Sequence, residues 1–255
     1  MNAKIVGISV AAIAAVSAGL YYIFGMSSEP GPVAPPPVVA KQEPAIANPI
    51  PDSPVAQALP ALDGSDEFTS NELIALLGQP FVQKYVVPKN LVKHVVVTID
   101  NLSRKKVAGV MNPVVPVPGQ INSQSDIATT LTATQYARYD EFVQAATAVD
   151  SKQLAATYFK LYPLFQDAYK SLGYPNGYFN DRLVAVIDHL IATPYAKQPI
   201  ELINGPGLYQ FADPALESLS AGQKVIVRIG PDNGAKVRAK LKELRALVAN
   251  VPRAN

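Results

Sequence analysis

The stretch of this chain that most resembles an active site is YPNGYFNDRLVAVIDHL, residues 174–190. It brings two acids, Asp181 and Asp188, close in sequence to Asn180, Arg182 and His189. Side chains of these types can act as a general acid and base or hold a charged ligand. Their role depends on whether the fold gathers them in one pocket or spreads them along a helix.

The same stretch has the pattern of a helix that is beginning. Asn180 is placed to cap the helix, Phe179 to pack against Val184, and Asp181 to interact with the positive end of the helix dipole. At about 100° per residue, the apolar side chains fall on one side and the polar ones, with His189, fall on the other. The sequence therefore favours a structural role for most of these polar groups.

The turn before the predicted helix is the part without a structural explanation. Its sequence, GYPNGY, requires unusual backbone angles at the glycines and brings aromatic rings to one place. We therefore look for a binding surface here and in the stretch YARYDE, and we predict no catalytic residue. The candidate binding residues are Tyr178, Asn180, Asp181, Arg182, Arg138 and Asp140.

Composition excludes several classes of function. The chain has no cysteine and only two histidines, His94 and His189, which excludes thiolate chemistry and histidine-rich metal sites. It contains no P-loop, nucleophile elbow, zincin or EF-hand motif. We therefore expect neither a metal nor a cofactor. Lysine and arginine number 22 against 20 acids, a net charge of +2, so no nucleic-acid partner is expected.

Residues 5–24 read IVGISVAAIAAVSAGLYYIF and contain no charged side chain. A helix of this length rises about 30 Å, which matches the hydrocarbon core of a bilayer. The alternative is a cleaved signal peptide, since VSA at 16–18 suits a cleavage site. The run stays apolar through Phe24, and Tyr21 and Tyr22 suit a membrane interface. We therefore expect an uncleaved anchor.

Charge sets the expected orientation of this span. Lys4 and the α-amino group precede it, and the next cation is Lys41, so the positive-inside rule places the N-terminus in the cytoplasm. The rest of the chain is then extracytoplasmic, which means the periplasm in a double-membraned bacterium. The expected location is the inner, cytoplasmic membrane, with the lipid bilayer as a partner through residues 5–24.

The pattern divides the chain into three segments. Residues 1–26 form a short cytoplasmic N-terminus and a transmembrane helix. Residues 27–62 contain ten prolines, which predicts a disordered Pro/Ala-rich linker. At about 3.1 Å per residue, this linker has a maximum reach on the order of 110 Å. Residues 63–250 form the exported domain.

The predicted fold class of this domain is mainly α, in one multi-helix globular unit. Capping residues, or prolines in the first turn, mark where helices begin. These starts fall at Ser65, Pro88, Asp150, Asn180, Asp213, Ser220 and Pro231. Residues 103–131 are rich in proline and are not expected to be helical, but a small β-hairpin is expected within 117–131.

The last predicted helix, in NGAKVRAKLKELRALVAN, has a basic face beside its apolar stripe. A solvated rim around a buried seam is the simpler interpretation. The alternative is a surface for anionic lipid headgroups or an acidic partner. The residues of this basic face are Arg238, Lys242 and Arg245.

Five stretches carry a resemblance to a known family: LPALDGSDEF, VVTIDNL, YARYDEFV, LYPLFQDAYKSLGYPNGYFNDRLVAVIDHL and LYQFADPALESLSAGQKVIVRIG. They resemble a family of bacterial membrane-anchored proteins that is classed only as a domain of unknown function. The resemblance covers roughly residues 59–248. It implies one span, a proline-rich tether and one exported helical domain, and it implies no activity or ligand.

Two functions remain in competition. The first is a non-enzymatic binding or scaffolding module of the cell envelope, with an unknown envelope protein as partner. The second is an envelope hydrolase that acts on cell-wall material with acids near Asp140 and Asp181. The hydrolase requires Asp140 or Glu141 to meet Asp181 and Arg182 in one concave pocket. The binding module is favoured because the sequence has no recognisable catalytic constellation.

Overall fold

The structure, a computed structural model, describes residues 45–51, 59–105, 111–117, 128–204 and 209–249. In these residues the protein is mainly helical, as predicted, and has a small three-stranded antiparallel sheet. A 3-10 turn at Leu62–Gly64 precedes the first helix. The helices are α1 (Asp66–Leu77), α2 (Gln79–Tyr85), α3 (Leu91–Leu102), α4 (Ala133–Ala137), α5 (Asp140–Thr147), α6 (Ser151–Ser171), α7 (Phe179–Ile191), α8 (Pro214–Glu217), α9 (Ala221–Arg228) and α10 (Pro231–Val248). The strands are β1 (Ala128–Leu131), β2 (Ile200–Asn204) and β3 (Tyr209–Phe211).

Polar side chains set where the first helices begin, but in a way that the sequence did not reveal. Ser65 holds the N-cap position of α1 as predicted, but its hydroxyl makes no capping hydrogen bond and donates instead to the carbonyl of Leu62 at 2.8 Å. Asp66 caps α3, because its two carboxylate oxygens accept the N–H groups of Leu91 and of the residue before it, each at 2.8 Å. Helix α3 consequently begins at Leu91 and not at Pro88.

Helix α6 is the longest of the described helices, and it packs against α1, α3 and α10. Asp150 caps it as predicted, accepting the N–H groups of Lys152 and Gln153 at 3.0 and 2.9 Å. The aromatic stripe of α6 is buried, except that Leu172 just beyond its end is 39% exposed. Pro163 lies inside the helix on its exposed side. The stripe is therefore part of the core, as apolar side chains at helical spacing usually are.

One large core joins the helices α1–α3, α5–α7, α9 and α10. Phe179 is fully buried in it, and its ring packs against Phe165 and Tyr169 with centroids 5.9 and 5.5 Å apart. Phe179 was predicted to precede α7, but it is the first residue of the helix. The ring packs α7 against the C-terminal half of α6.

The small sheet has a core of its own. Its strands pair antiparallel in the order β1-β2-β3, with Leu131 opposite Ile200 and Leu202 opposite Phe211. These four side chains and Val227 of α9 form a second buried cluster. The hairpin predicted within 117–131 takes a different form, because residues 128–131 pair with β2. Residues 118–127, which include the predicted turn, lie outside the described part of the chain.

Among the described helices, none combines the length and the apolar character needed to cross a bilayer. The span predicted at residues 5–24 lies outside the residues that the structure describes. Residues 45–51 of the predicted linker are described, and they lie against the start of α7.

Gly222 tests how closely α9 packs against α3 and α7. A Cβ at this position would lie 2.6 Å from Leu190 Cδ2 and 2.9 Å from the carbonyl oxygen of Leu102. We expect Gly222→Ala to lower the free energy of unfolding by about 1–2 kcal/mol, because the steric cost exceeds the roughly 1 kcal/mol that alanine gains in a helix. Urea unfolding measures this. Gly64→Ala is the control, since nothing lies within 4 Å of its added Cβ, and an equal loss in both variants would contradict the prediction.

Candidate functional site

Residues 45–51, which we call the strap, are held by the start of α7. The Asp181 carboxylate accepts hydrogen bonds from the N–H of Ala47 (3.1 Å), the N–H of Asn48 (2.7 Å) and the side-chain amide of Asn48 (2.9 Å). The N–H of Ile50 donates to the Tyr178 hydroxyl at 3.0 Å, and the Ile50 side chain packs against the large core. Hydrogen bonds to a carboxylate are about twice as strong as neutral ones, so Asp181 is the main anchor of the strap.

Asn180 was predicted to cap α7, and this is wrong. Tyr178 holds the cap position, and Asn180 is fully buried inside the helix. Its Oδ1 accepts the Tyr158 hydroxyl at 3.0 Å, while its Nδ2 donates to the carbonyls of Asn48 at 2.8 Å and Val248 at 2.9 Å. One amide therefore joins α6, α7, the end of α10 and the strap.

Tyr178, Asn180 and Asp181 form one surface, which we call the docking surface. The sequence nominated all three residues for binding, and the structure does bring them together. The chain that they bind is the strap of the same protein.

Arg182 turns away from the docking surface into an ion-pair network. Its Nε donates to Asp100 at 2.8 Å, and its guanidinium also reaches Ser103 Oγ at 2.8 Å. The second carboxylate oxygen of Asp100 accepts Arg104 at 2.7 Å and the Tyr174 hydroxyl at 3.3 Å. The Asp100 side chain is only 7% exposed. The network ties α7 and the turn before it to the end of α3, so Arg182 is occupied within the fold.

The remaining polar residues of α7 also have partners. His189 Nε2 lies 2.8 Å from Ser220 Oγ, which caps α9. Burial and the positive charge of Arg182 lower the pKa of His189. Asp188 forms an ion pair with Arg245 of α10. The polar side of α7 thus contacts α3, α9, α10 and the strap.

A pocket of about 530 Å³ lies at the opposite end of α10 from the docking surface. It opens between α4, the start of α5, the residues before β2 and the start of α10. Ligand sites for small molecules have volumes of roughly 300–1,000 Å³, so its size is sufficient. The polar residues that line it are Tyr136, Asp140, Gln198, Asp232 and Asn233.

Hydrogen bonds order the polar side of this pocket. Asn233 is 3% exposed, and its Nδ2 donates to Asp140 Oδ1 at 2.8 Å and to the carbonyl of Ile229 at 3.1 Å. Its Oδ1 accepts no hydrogen bond from the described residues. The Tyr136 hydroxyl donates to Gln198 Oε1 at 3.2 Å, and burial raises the pKa of Tyr136. Tyr136 therefore stays a neutral donor at pH 7.

The other acidic and basic residues of the YARYDE stretch lie elsewhere. The Arg138 guanidinium lies over the Tyr139 ring, 4.6 Å from its centroid, and donates to its hydroxyl at 2.5 Å. Glu141 pairs with Lys84 at 2.8 Å on the surface. In the part of the chain that the structure describes, no three His, Asp or Glu side chains are grouped so that they could hold a metal ion.

The predicted basic face of α10 is not one surface. Arg238 is only 8% exposed, and its guanidinium lies 4.4 Å from the centre of the Tyr195 ring. Arg245 pairs with Asp188 across to α7. Lys242 alone of the three nominated cations is exposed, with no ion pair to a described residue. The three cations thus differ in their surroundings: Arg238 is buried, Arg245 is in a surface ion pair, and Lys242 is exposed.

Sequence reasoning missed Asn233, Asp232, Tyr136 and Gln198 as pocket residues. One signal was present for Asn233: it stands four residues before Val237, in line with the apolar stripe of α10. A polar residue in an apolar stripe is expected to be buried, and a buried amide needs partners. Tyr136 and Gln198 carried no such signal, because they meet only through the fold.

These features define a helical domain with a small sheet, a docked strap and a polar pocket. A family model described as "Protein of unknown function (DUF3014)" matches residues 91–245. Since the match takes in more than half of the chain, the chain belongs to this family, as the resemblance of its central stretches indicated. The match includes the docking surface and the pocket but not the strap. No curated protein and no solved structure matches the chain.

Asp181→Ala is expected to release the strap without unfolding the domain. The amide protons of Ala47, Asn48 and Ile50 should exchange at least about tenfold faster, because hydrogen bonds to a charged group contribute about 1.5–3 kcal/mol. Hydrogen–deuterium exchange measures this, with the amides of α6 expected to keep their protection. Asp167→Ala, at an exposed acid on α6, is the matched control. Unchanged protection of the strap in Asp181→Ala would show that other contacts hold it.

The two histidines predict a loss of stability on mild acidification. Burial lowers the pKa of both His94 and His189 in the fold, so the unfolded chain, with an ordinary pKa of about 6.5, binds these protons more readily. The stability that the neutral histidines contribute is complete above about pH 6.5, and it is lost as the pH falls through their lower pKa in the folded state. The urea midpoint should therefore be lower at pH 5.5 than at pH 7.5. The double variant His94→Gln, His189→Gln should show a smaller difference, and an equal one would refute the assignment.

Proposed function

We propose that this protein is a single-pass membrane-anchored protein of the cell envelope whose helical domain is a non-enzymatic binding or scaffolding module. Residues 5–24 are the anchor, the N-terminus is cytoplasmic, and the domain lies on the periplasmic or extracytoplasmic side. The uncharged run of residues 5–24, with Lys4 before it and no further cation until Lys41, supports this topology. The partner is an envelope component that meets the domain away from the bilayer.

The docked strap is the observation that supports this role most. The strap is the described part of the chain that comes first after residues 5–24, and it meets the domain where the Asn180 amide binds the carbonyl of Val248. Helix α10 is 18 residues long, so its two ends are about 26 Å apart. The pocket is at the other end of that helix. A domain held by its strap would thus present the pocket away from the membrane.

The positions of the nominated acids favour binding over hydrolysis. Asp140 contacts Asn233 at the start of α10, whereas Asp181 is next in sequence to Asn180, which contacts Val248 at the end of α10. The helix separates these regions by on the order of 20 Å. Paired carboxylates of glycoside hydrolases lie about 5–9.5 Å apart.

The topology can be tested because the chain has no cysteine of its own. In single-cysteine variants of the full chain, Lys242→Cys should react with a membrane-impermeant maleimide in cells with an intact cytoplasmic membrane. Asn2→Cys should react only after that membrane is permeabilised. Labelling of Asn2→Cys in intact cells, or removal of the N-terminal residues from the mature chain, would refute the proposed anchor.

The orientation of the domain can be tested with two positions on one face of α10. Ala235 and Ala246 are both exposed, and they are eleven residues apart, which is about 16 Å along the helix and about 20° around it. In the full chain reconstituted in vesicles, a dye on Ala246→Cys should transfer energy to lipid-bound acceptors more efficiently than one on Ala235→Cys. Adding Asp181→Ala should reduce the difference. Equal transfer from both sites with the strap intact would contradict the orientation.

A further inference from the structure

The pocket at the start of α10 has more acceptors than donors. Asp140 uses one carboxylate oxygen for Asn233, and the other has no hydrogen-bond partner among the described residues. The Asp232 carboxylate also lines the pocket and forms no ion pair with a described residue. The Asn233 oxygen is buried and accepts nothing. Asp140 and Asp232 therefore offer carboxylate oxygens to a ligand, and an amide oxygen without a donor among the described residues is buried beside them.

No positive charge balances these oxygens. Among the described residues that line the pocket, none is Lys, Arg or His. The neutral groups nearby are largely occupied, since the Tyr136 hydroxyl and Gln198 bind each other. The starts of α5 and α10 each contribute a partial positive charge of roughly 0.5, which two full carboxylate charges outweigh, so the pocket attracts cations.

One wall of the pocket is an aromatic ring held in a fixed place. The Tyr136 ring lies against Gly230, whose φ is 92° and whose added Cβ would come within 2.6 Å of the ring. Only glycine suits both the backbone angle and the close approach. A cation within about 6 Å of an aromatic face gains roughly 0.5–2 kcal/mol. The apolar side chains of Leu131 and Ile229 complete the lining.

Helix capping explains part of this arrangement and not the rest. Asp140 and Asp232 stand in the first turns of α5 and α10, where acids stabilise the positive end of a helix dipole. That role accounts for the two carboxylates. It does not account for a cavity of about 530 Å³ or for a buried amide oxygen without a donor, which costs about 1–3 kcal/mol.

We propose that this pocket binds a small organic cation with a primary ammonium group on an apolar body. An ammonium group has three donors and no acceptor, which suits the exposed carboxylate oxygens of Asp140 and Asp232. The apolar body of the ligand packs on the Tyr136 ring and the aliphatic wall. This inference rests on the proposed binding role of the domain, and it is independent of the membrane anchor.

The test compares cyclohexylamine with cyclohexanol, which have the same ring but differ in charge. Full-length protein in a mild detergent is titrated with each, and the backbone amide signals of Gly230, Asp232 and Asn233 are followed by NMR. Cyclohexylamine should give saturable shifts, with at least tenfold weaker binding of cyclohexanol. The binding of cyclohexylamine should also weaken at high salt, because the carboxylates of Asp140 and Asp232 are exposed to solvent.

Isosteric variants separate the pocket from nonspecific charge effects. Asp140→Asn and Asp232→Asn should each weaken cyclohexylamine binding about three- to tenfold, and Asp167→Asn on α6 should leave it unchanged. An asparagine at 140 can still accept the hydrogen bond from Asn233, so the pocket should keep its shape. The proposal would be overturned if cyclohexanol bound as tightly as cyclohexylamine, if no pocket signal shifted, or if both pocket variants bound cyclohexylamine as tightly as the unsubstituted protein. The maleimide-labelling and energy-transfer experiments test the anchor and the orientation of the domain independently of this titration, so a failure of either proposal can be told from a failure of the other.

Discussion

The side-chain amide of Asn180 is the interaction on which the arrangement of α6, α7, α10 and the strap depends. It is completely buried, and it satisfies one hydroxyl and two carbonyl groups from three other segments. Its removal would leave the Tyr158 hydroxyl and the Val248 carbonyl buried without partners. Each such group costs about 1–3 kcal/mol, a large fraction of the 5–15 kcal/mol that stabilises a typical domain. Any other packing of these segments would leave the same buried groups without hydrogen-bond partners, so this arrangement is specific.

The residues that looked most like an active site are occupied within the fold. Asp181 holds the strap, Arg182 and Asp100 join α7 to α3, and His189 meets Ser220 of α9. The polar groups that remain available are in a less conspicuous stretch at the start of α10. A cluster of polar residue types therefore indicated where the chain is tied together, while the proposed ligand site was found only from the pocket and the unpaired Asn233 oxygen beside it.

Much of the helical fold could be predicted because its signals are local. The cap at Asp150, which is confirmed, and the apolar stripe of α6 both depend on residues close in sequence. The burial of Asn180 was also within reach, because Leu183 and Val184 continue the apolar stripe on which it stands. Its partners were not, since they come from segments far away in sequence. The pairing of β1 with β2 and the assembly of the pocket depend on the same kind of long-range contact.

The side-chain amide of Asn180 also brings the strap and the end of α10 together, although they are the first and last segments of the described fold. The carbonyl oxygens of Asn48 and Val248 both accept from the same nitrogen, so they lie within about 5.7 Å of each other. The chain thus enters and leaves the domain at one point. A pulling force applied between the two ends would act on the hydrogen bonds of the strap before it reached α3 or α6. The strap would detach first, and the helical core would bear the force only after that.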